Sequence, residues 1–266
     1  MFYIVASDLD GTLLTPDNQL TSFTKKILRL LTTMKVHFIF ATGRHRINVI
    51  KIRNNLNIYD YMITSNGARI YDANDRLIAS YNLDLEIIYD LLSIVQRDPH
   101  IVTNLFQQNE WLIGRFQYYH DFFFQSFHSD YKIYTIDTVP VDAVSKIYFS
   151  SNSYQKLFWL EKKINARWGS RVNVSFSLPT CLEVISGGVS KGYALELVAN
   201  LLGYQLRDCI SFGDGMNDQE MLAMTGKGCI MFNAQQRLKD ALPCLEVIGS
   251  NKNEAVPYYL KYMYFH

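Results

Sequence analysis

The chain has 266 residues, and its 26 basic and 25 acidic residues leave a net charge of +1. This length predicts one large or two modest domains, and a hydrophobic content of 48% is enough for a sizeable core. The sequence has no basic block and no apolar run of the roughly 18 residues that a membrane span needs, so we expect neither nucleic acid nor a membrane as a partner.

The start of the chain does not resemble a secretory leader, because an apolar strand begins at once instead of following a basic segment. The cysteines lie in apolar surroundings without metal-type spacing, and we expect them to be reduced and buried. They are Cys181, Cys209, Cys229 and Cys244. These features predict a cytoplasmic protein, and we expect a monomer or a weak homo-oligomer.

The first predicted element is a short buried strand, Phe2-Tyr3-Ile4-Val5, which runs into Ala6-Ser7-Asp8-Leu9-Asp10-Gly11-Thr12. Residues two apart in an extended segment share a face, so Asp8 and Asp10 would converge where this strand ends. Gly11 permits a sharp turn immediately afterwards. Taken alone, the Asp-x-Asp pattern also fits an ordinary Asp-rich turn.

Strands and helices then alternate, which predicts an α/β fold with a doubly wound, Rossmann-like parallel sheet and helices on both faces. Thr21 is the expected cap of the first helix, whose apolar positions run from Phe23 to Met34. The next predicted elements are a strand over 36–41 ending in Thr42-Gly43-Arg44, a helix over 47–56 and a strand over 61–65.

The pattern changes after residue 68 and predicts an inserted α/β cap over residues 84–186, between core segments 1–83 and 187–266. The predicted elements are a hairpin over 68–83, a helix over 84–97, strands over 101–106, 111–116 and 146–150, a helix over 154–168 and a strand pair within 172–185. The aromatic run 116–124 fits either a lid or packing within the insert, and packing is the favoured interpretation.

The alternating pattern resumes at Gly187–Gly192, where Ser190 is the expected cap of a helix over 193–202. A strand over 209–212 then runs into Gly213-Asp214-Gly215-Met216-Asn217-Asp218. The remaining predicted elements are helices over 218–224, 234–241 and 253–263 and strands over 229–232 and 245–248.

Small polar clusters follow three of the predicted core strands, and the carboxyl ends of parallel strands meet at one edge of a sheet. The residues expected to converge there are Asp8, Asp10, Thr42, Gly43, Asp214, Asn217 and Asp218, with Lys191 arriving from a helix start. Several carboxylates in one crevice favour a hard cation with oxygen ligands, so Mg²⁺ is the expected cofactor. Hydroxyl, amide, ammonium and backbone donors around the same space suit an anion, and the combination predicts phosphoryl transfer.

A mechanism follows from these residue types. Asp8 is expected to attack phosphorus and form an aspartyl-phosphate, while Asp10 protonates the leaving alcohol and later takes a proton from the hydrolytic water. Taken alone, Lys191 would be a solvated lysine at a helix start, and Asp214 and Asp218 would be turn and cap residues. Their occurrence together favours the chemical roles.

The four clusters resemble the signature motifs of the haloacid dehalogenase (HAD) superfamily, and their order, with an α/β insert, resembles the Cof-type branch with a C2B cap. The resemblance is closest to enterobacterial pyridoxal phosphate and sugar phosphate phosphatases. The motifs are Asp-Leu-Asp-Gly-Thr-Leu-Leu at 8–14, Ala-Thr-Gly-Arg at 41–44, Gly-Val-Ser-Lys-Gly at 188–192 and Gly-Asp-Gly-Met-Asn-Asp at 213–218, with Ser-Asn-Gly-Ala at 65–68 and Leu-Glu-Val at 182–184.

The resemblance implies a role for each matching position. Asp8 is the nucleophile and Asp10 the acid/base, and Asp218 supports the site. The implied phosphate-binding residues are Leu9 (through its backbone), Thr42, Gly43, Lys191 and Asn217. The implied Mg²⁺ ligands are Asp8, Asp10 (through its carbonyl) and Asp214.

The predicted function is therefore a Mg²⁺-dependent phosphatase for small phosphorylated metabolites, with pyridoxal 5′-phosphate and sugar phosphates suggested by the resemblance. A phosphomutase or phosphotransferase of the same fold is the alternative, because an alcohol would intercept the same aspartyl-phosphate. A phospho-accepting signalling receiver is less favoured, because receivers are about half this length and lack Asp-x-Asp. Arg44 fits either an anion-steering role or an ion pair. Glu183 fits either a substrate contact or the end of a hairpin.

Overall fold

Two β-sheets organise the chain: an eight-stranded sheet, named here the core sheet, and a six-stranded sheet, named the cap sheet. The computed structural model describes residues 1–96, 98–107, 110–114, 131–135, 138 and 142–265. The aromatic run 116–124, whose packing was predicted above, lies outside these residues.

The elements are numbered along the chain. The strands are β1 Ile4–Ser7, β2 His37–Ala41, β3 Met62–Thr64, β4 Arg69–Tyr71, β5 Leu77–Ser80, β6 Val102–Gln107, β7 Glu110–Gly114, β8 Tyr131–Tyr134, β9 Val144–Ser150, β10 Val172–Leu178, β11 Cys181–Ser186, β12 Cys209–Gly213, β13 Lys227–Ile230 and β14 Glu246–Val247. The α-helices are α1 Ser22–Thr33, α2 Arg46–Leu56, α3 Leu85–Val95, α4 Tyr154–Trp168, α5 Lys191–Leu201, α6 Gln219–Met224, α7 Gln236–Ala241 and α8 Ala255–Phe265.

The core sheet has the strand order β14-β13-β12-β1-β2-β3-β4-β5, and the strands from β14 to β3 are parallel. Strand β1 lies at its centre because it is apolar on both faces: Ile4 and Ala6 pack towards α5, and Val5 packs towards α1 and α8. Helices cover both faces, which confirms the predicted doubly wound α/β fold.

Local sequence signals explain where several helices begin. The side chains of Thr21 and Ser190 accept hydrogen bonds from the backbone N–H groups of Thr24 and Tyr193, at 3.0 and 3.3 Å. Both residues therefore cap their helices as predicted. Helix α4 has the predicted bounds 154–168.

Strands β13 and β8 are among those that differ from the prediction. Strand β13 begins at Lys227, two residues before the predicted 229–232, because pairing with β12 rather than the apolar run sets its bounds. Strand β8 has no counterpart among the predicted elements, and it pairs with β7 in parallel.

The cap sheet has the order β10-β11-β9-β6-β7-β8, and one of its faces differs chemically from the other. The register places Phe106 opposite both Lys146 and Trp111, and Tyr148 opposite Glu183, so these side chains share one face. Apolar side chains on the opposite face pack against α3 and α4. The polar and aromatic face is consequently the one that remains to meet the core.

We retain as a proposal the division into core segments 1–83 and 187–266 with an inserted cap over 84–186. Among the described residues, none of the helices has the length and apolar character required to cross a bilayer.

Arg69 ties the core sheet to the cap sheet. Its guanidinium is buried and donates to the backbone carbonyls of Ala68, Tyr81 and Ala143 and to the side chain of Asn82, at 2.6–2.9 Å. Burial lowers the pKa of Arg69 from its ordinary value. Tyr81 and Asn82 lie just after β5 and Ala143 lies just before β9, so one side chain joins the segments that connect the two sheets.

The Arg69→Met variant is expected to lower the free energy of unfolding by about 3 kcal/mol, because buried carbonyls lose a charged donor. Chemical denaturation measures this change. Arg76→Met, at an exposed position of the same hairpin, serves as the control and should stay within about 0.5 kcal/mol of the parent. Equal losses in the two variants would contradict the assignment.

Candidate active site

Lys191 is the central cation of the site. It is the first residue of α5 and is fully buried, and its Nζ donates to Asp8 Oδ1 and to Asp218 Oδ1, both at 2.6 Å. Burial by itself lowers the pKa of Lys191, but Asp218 and Asp8 outweigh it and hold this pKa above its ordinary value. One ammonium group therefore joins the ends of β1 and β12 to the start of α5.

Three buried carboxylates, those of Asp8, Asp214 and Asp218, form an acidic cluster in which one oxygen atom from each lies within 4.8 Å of the other two. Burial raises the pKa of Asp8 to about 7, with Asp218 adding to this rise and Lys191 opposing it. Burial and the charge of Asp8 raise the pKa of Asp214 well above its usual range. Such crowded carboxylates match the oxygen donors that a hard divalent cation prefers.

The Asp214 carboxylate packs directly against Gly11, where any other residue would place its Cβ atom. The φ of +76° at Gly11 suits glycine, and a Cβ atom at this position would lie 2.2 Å from Asp214 Oδ2. The other oxygen of Asp214 accepts a hydrogen bond of 2.7 Å from the Thr12 hydroxyl. The turn after β1 therefore fixes Asp214 while keeping one of its oxygens clear of side-chain atoms from Gly11.

Asp10 lies apart from the acidic cluster and pairs with Arg44. The Arg44 guanidinium donates to both carboxylate oxygens, with a distance of 2.7 Å from Nε to Oδ2. Burial by itself lowers the pKa of Arg44, and the bond to Asp10 holds that pKa above its ordinary value. Of the two interpretations of Arg44, the structure shows the ion pair.

The predicted phosphate-binding residues lie around the same edge of the core sheet. The Thr42 hydroxyl accepts from the backbone N–H of Arg44 at 3.1 Å, and the Asn217 amide donates to Asn66 Oδ1 at 3.0 Å. The side chain of Leu9 is fully buried in the apolar core, so only the backbone of Leu9 is placed to serve a ligand.

A cavity of about 290 Å³ lies between this edge and the cap sheet. The predicted residues that line it are Asp8, Asp10, Thr42, Gly43, Asp214 and Asn217. Lys191 and Asp218 lie beneath the lining, each 0% exposed. Every predicted site residue except Leu9 therefore either faces the cavity or contacts a residue that does.

The cap sheet lines the cavity with aromatic side chains. The ring centroids of Phe106 and Tyr148 are 5.5 Å apart at 69°, and those of Phe106 and Trp111 are 6.1 Å apart at 88°. Lys146 Nζ lies 4.6 Å from the centre of the Phe106 ring. This wall is suited to an organic group with a flat or apolar face.

Sequence reasoning missed Thr12, Asn66, Lys146 and the aromatic wall as site residues. One signal was present: Lys146 and Glu183 are single charges within apolar strands, where a charge is costly without a partner. Glu183 does more than end a hairpin, because it lines the cavity and contacts the core residue Asn66.

Comparison with known proteins connects this geometry to a family. Residues 5–260 match the family of haloacid dehalogenase-like hydrolases. A putative phosphatase of Buchnera aphidicola subsp. Schizaphis graminum is 48% identical over 260 residues, covering 98% of this chain and 95% of that protein. An HMP-PP phosphatase of Escherichia fergusonii is 36% identical over 262 residues, with coverage of 98% and 95%. The solved structure of a HAD subclass IIB sugar phosphatase superposes with a TM-score of 0.85 at 19% identity, covering 98% of each chain.

Replacing Lys191 with methionine is expected to destabilise the protein by about 3–5 kcal/mol, because Asp8 and Asp218 would remain buried without their cation. The measurement is the free energy of unfolding from chemical denaturation. Lys252→Met, at an exposed position, should change it by no more than about 0.5 kcal/mol. A Lys191→Met protein as stable as the parent would refute the central role of this ammonium group.

Proposed function

The chain belongs to the haloacid dehalogenase-like hydrolases, and we propose that it is a Mg²⁺-dependent phosphatase that hydrolyses small phosphorylated metabolites through an aspartyl-phosphate. The observation that carries this proposal is the fully buried Lys191, paired with Asp8 beneath a cavity that Thr42 and Gly43 also line. This arrangement supplies a nucleophile and oriented donors for the oxygens of one phosphoryl group.

The donor set suits Mg²⁺. The carboxylates of Asp8 and Asp214 and the carbonyl of Asp10 would hold the ion, with Asp218 supporting them from beneath. Burial, together with the charges of the neighbouring carboxylates, raises the pKa values of Asp8 and Asp214, so these groups hold buried negative charge that a cation would offset. When bound, Mg²⁺ would supply positive charge that offsets the charges of the carboxylates and the phosphoryl oxygens.

In the first step, a carboxylate oxygen of Asp8 attacks phosphorus, and the bond from phosphorus to the leaving oxygen breaks. Lys191 binds Asp8 Oδ1, so we assign the attack to Oδ2. Asp10 gives its proton to the leaving oxygen, which departs as an alcohol. The Arg44 contacts with Asp10 must open for this transfer, because they involve both carboxylate oxygens.

In the second step, a water molecule attacks phosphorus, and the bond between phosphorus and Asp8 breaks. Asp10, now ionised, takes a proton from this water, so both carboxylates return to their starting states. Thr42, Gly43 and Asn217 hold the phosphoryl oxygens through both steps. Free phosphate and an alcohol are the products.

Pyridoxal 5′-phosphate and hexose 6-phosphates are the substrates we propose to test first. The relatives described above are named an HMP-PP phosphatase and a sugar phosphatase, and a cavity of about 290 Å³ suits leaving groups of this size. The aromatic wall of Phe106, Trp111 and Tyr148 supports a flat ring, so pyridoxal 5′-phosphate ranks first.

The proposal is tested by measuring phosphate release from a panel of phosphorylated metabolites with Mg²⁺. The parent is expected to release phosphate from some members, and Asp8→Asn is expected to lower kcat by at least about 10³-fold, because an amide is a poor nucleophile. Asp17→Asn, at an exposed position, should keep the parental rate. Asp8→Asn turning over as fast as the parent would exclude the nucleophile assignment.

The same assay separates hydrolysis from transfer. A phosphomutase or phosphotransferase would pass phosphate to an added sugar instead of releasing it. Phosphorylated sugar accumulating in place of free phosphate would favour that alternative.

Asp10→Asn is expected to lower the rate of the first step by about 10²–10⁴-fold for alkyl phosphates, whose leaving oxygen needs a proton. The first step with p-nitrophenyl phosphate should be affected much less, because nitrophenolate leaves readily without one. Rapid-quench kinetics of the first turnover measure both values. Equal losses of rate for the two esters would remove the general-acid role.

A further inference from the structure

The cap sheet contributes a buried ion pair to the phosphate side of the site. Lys146 on β9 and Glu183 on β11 are 2% and 5% exposed, and Lys146 Nζ lies 3.0 Å from Glu183 Oε1. The Ser177 hydroxyl donates to the same Glu183 oxygen at 3.0 Å. Neither charge belongs to the phosphoryl-transfer steps described above, although both groups line the cavity.

Lys146 reaches from the cap to the turn after β2. Its Nζ donates to the backbone carbonyl of Gly43 at 2.6 Å, so one ammonium group links β9 to the predicted phosphate-binding turn. The turn is confined on the same side: a Cβ atom on Gly43 would lie 3.0 Å from Asn66 Oδ1 and 3.0 Å from Glu183 Oε2. The position of Gly43 thus depends on groups from the cap.

Glu183 reaches a second predicted phosphate ligand through one intermediary. Its Oε2 accepts from the Asn66 amide, and Asn66 Oδ1 accepts in turn from the Asn217 amide at 3.0 Å. The backbone N–H of Asn66 also donates to the carbonyl of Thr42 at 3.0 Å. Asn66 is 3% exposed and has a φ of +56°. These contacts stabilise the turn in which it lies.

We propose that Lys146 and Glu183 are positioning residues: the ion pair of the cap holds Gly43 directly and Asn217 through Asn66, and thereby sets the geometry of the phosphate-binding site. This inference rests on the proposed function, because it takes Gly43 and Asn217 as phosphate ligands. It makes the phosphate site of the core dependent on contact with the cap.

The pair acts through geometry more than through charge. Lys146 and Glu183 neutralise each other within 3.0 Å, so they add little net charge beside the phosphate. What they provide is a fixed position for Gly43 and Asn217. A displacement of about 1 Å in a positioning contact costs up to about 10²-fold in rate.

The test uses a double variant, Lys146→Met with Glu183→Leu, which removes both charges and leaves no unpaired ion. A matched control is Arg237→Met with Glu161→Leu. That ion pair, with Arg237 Nη1 at 2.9 Å from Glu161 Oε1, also joins the core, at α7, to the cap, at α4. Neither Arg237 nor Glu161 lines the cavity.

Three quantities are measured for each protein: the thermal midpoint, kcat and KM for p-nitrophenyl phosphate, and the dissociation constant of inorganic phosphate by calorimetry. The double variant of Lys146 and Glu183 is expected to lose about 10- to 100-fold in kcat and to bind phosphate at least about 10-fold more weakly. The variant of Arg237 and Glu161 should match the parent within about twofold in kcat and in phosphate affinity, even if its thermal midpoint changes.

Asn66→Gly tests the second connection alone. Glycine adopts a positive φ without strain, so this change removes the amide between Glu183 and Asn217 while preserving the turn. Phosphate binding is expected to weaken in this variant as well. Parental kcat and phosphate affinity in the double variant of Lys146 and Glu183, or equal losses in the control pair, would overturn the proposal.

Failure of the proposed function would be distinguishable. A parent that released no phosphate from any compound would refute the phosphatase assignment. The calorimetric titration with inorganic phosphate, which needs no turnover, would still decide whether the ion pair positions Gly43 and Asn217.

Discussion

The site depends above all on the contact of Lys191 with Asp8 and Asp218. A buried ammonium group is stable only with close negative partners, and these two carboxylates come from segments that follow different strands. Because Lys191 begins α5, the start of this helix is tied to the edge of the core sheet, and Asp8 is held at the wall of the cavity. The same contact draws two members of the acidic cluster, Asp8 and Asp218, to one ammonium group.

Much of the core was predictable because its signals are local. The apolar runs of β1 and β2, the caps Thr21 and Ser190, and the polar residues after each strand all occur within short segments. The rule that parallel strands end at one edge then brings Asp8, Asp214 and Lys191 together without any knowledge of the cap. The prediction of a phosphatase of the HAD superfamily, made on these residues, is confirmed by the family match and the named relatives.

The cap side of the cavity was not predictable for the opposite reason. Lys146, Glu183 and Phe106 share a face only because of the register among β6, β9 and β11. If one of these strands shifted by one residue, its side chain would turn to the face that the helices cover. Register depends on long-range packing that no short segment encodes. The bounds of β13 differ from prediction for a similar reason, since pairing rather than apolar character sets them.

The parallel pairing of β1 with β12 has a consequence for the order of folding. Asp214, at the end of β12, lies 202 residues beyond Thr12, and the segment between them includes the whole cap sheet. On the ribosome, β1 leaves the exit tunnel long before its neighbour on one side has been synthesised, and long-range pairing of this kind is slow. The cap sheet is built from strands nearer to one another in sequence, so its contacts become available first. The carboxylates of the acidic cluster are therefore expected to come together late, after the cap sheet that lies over the cavity.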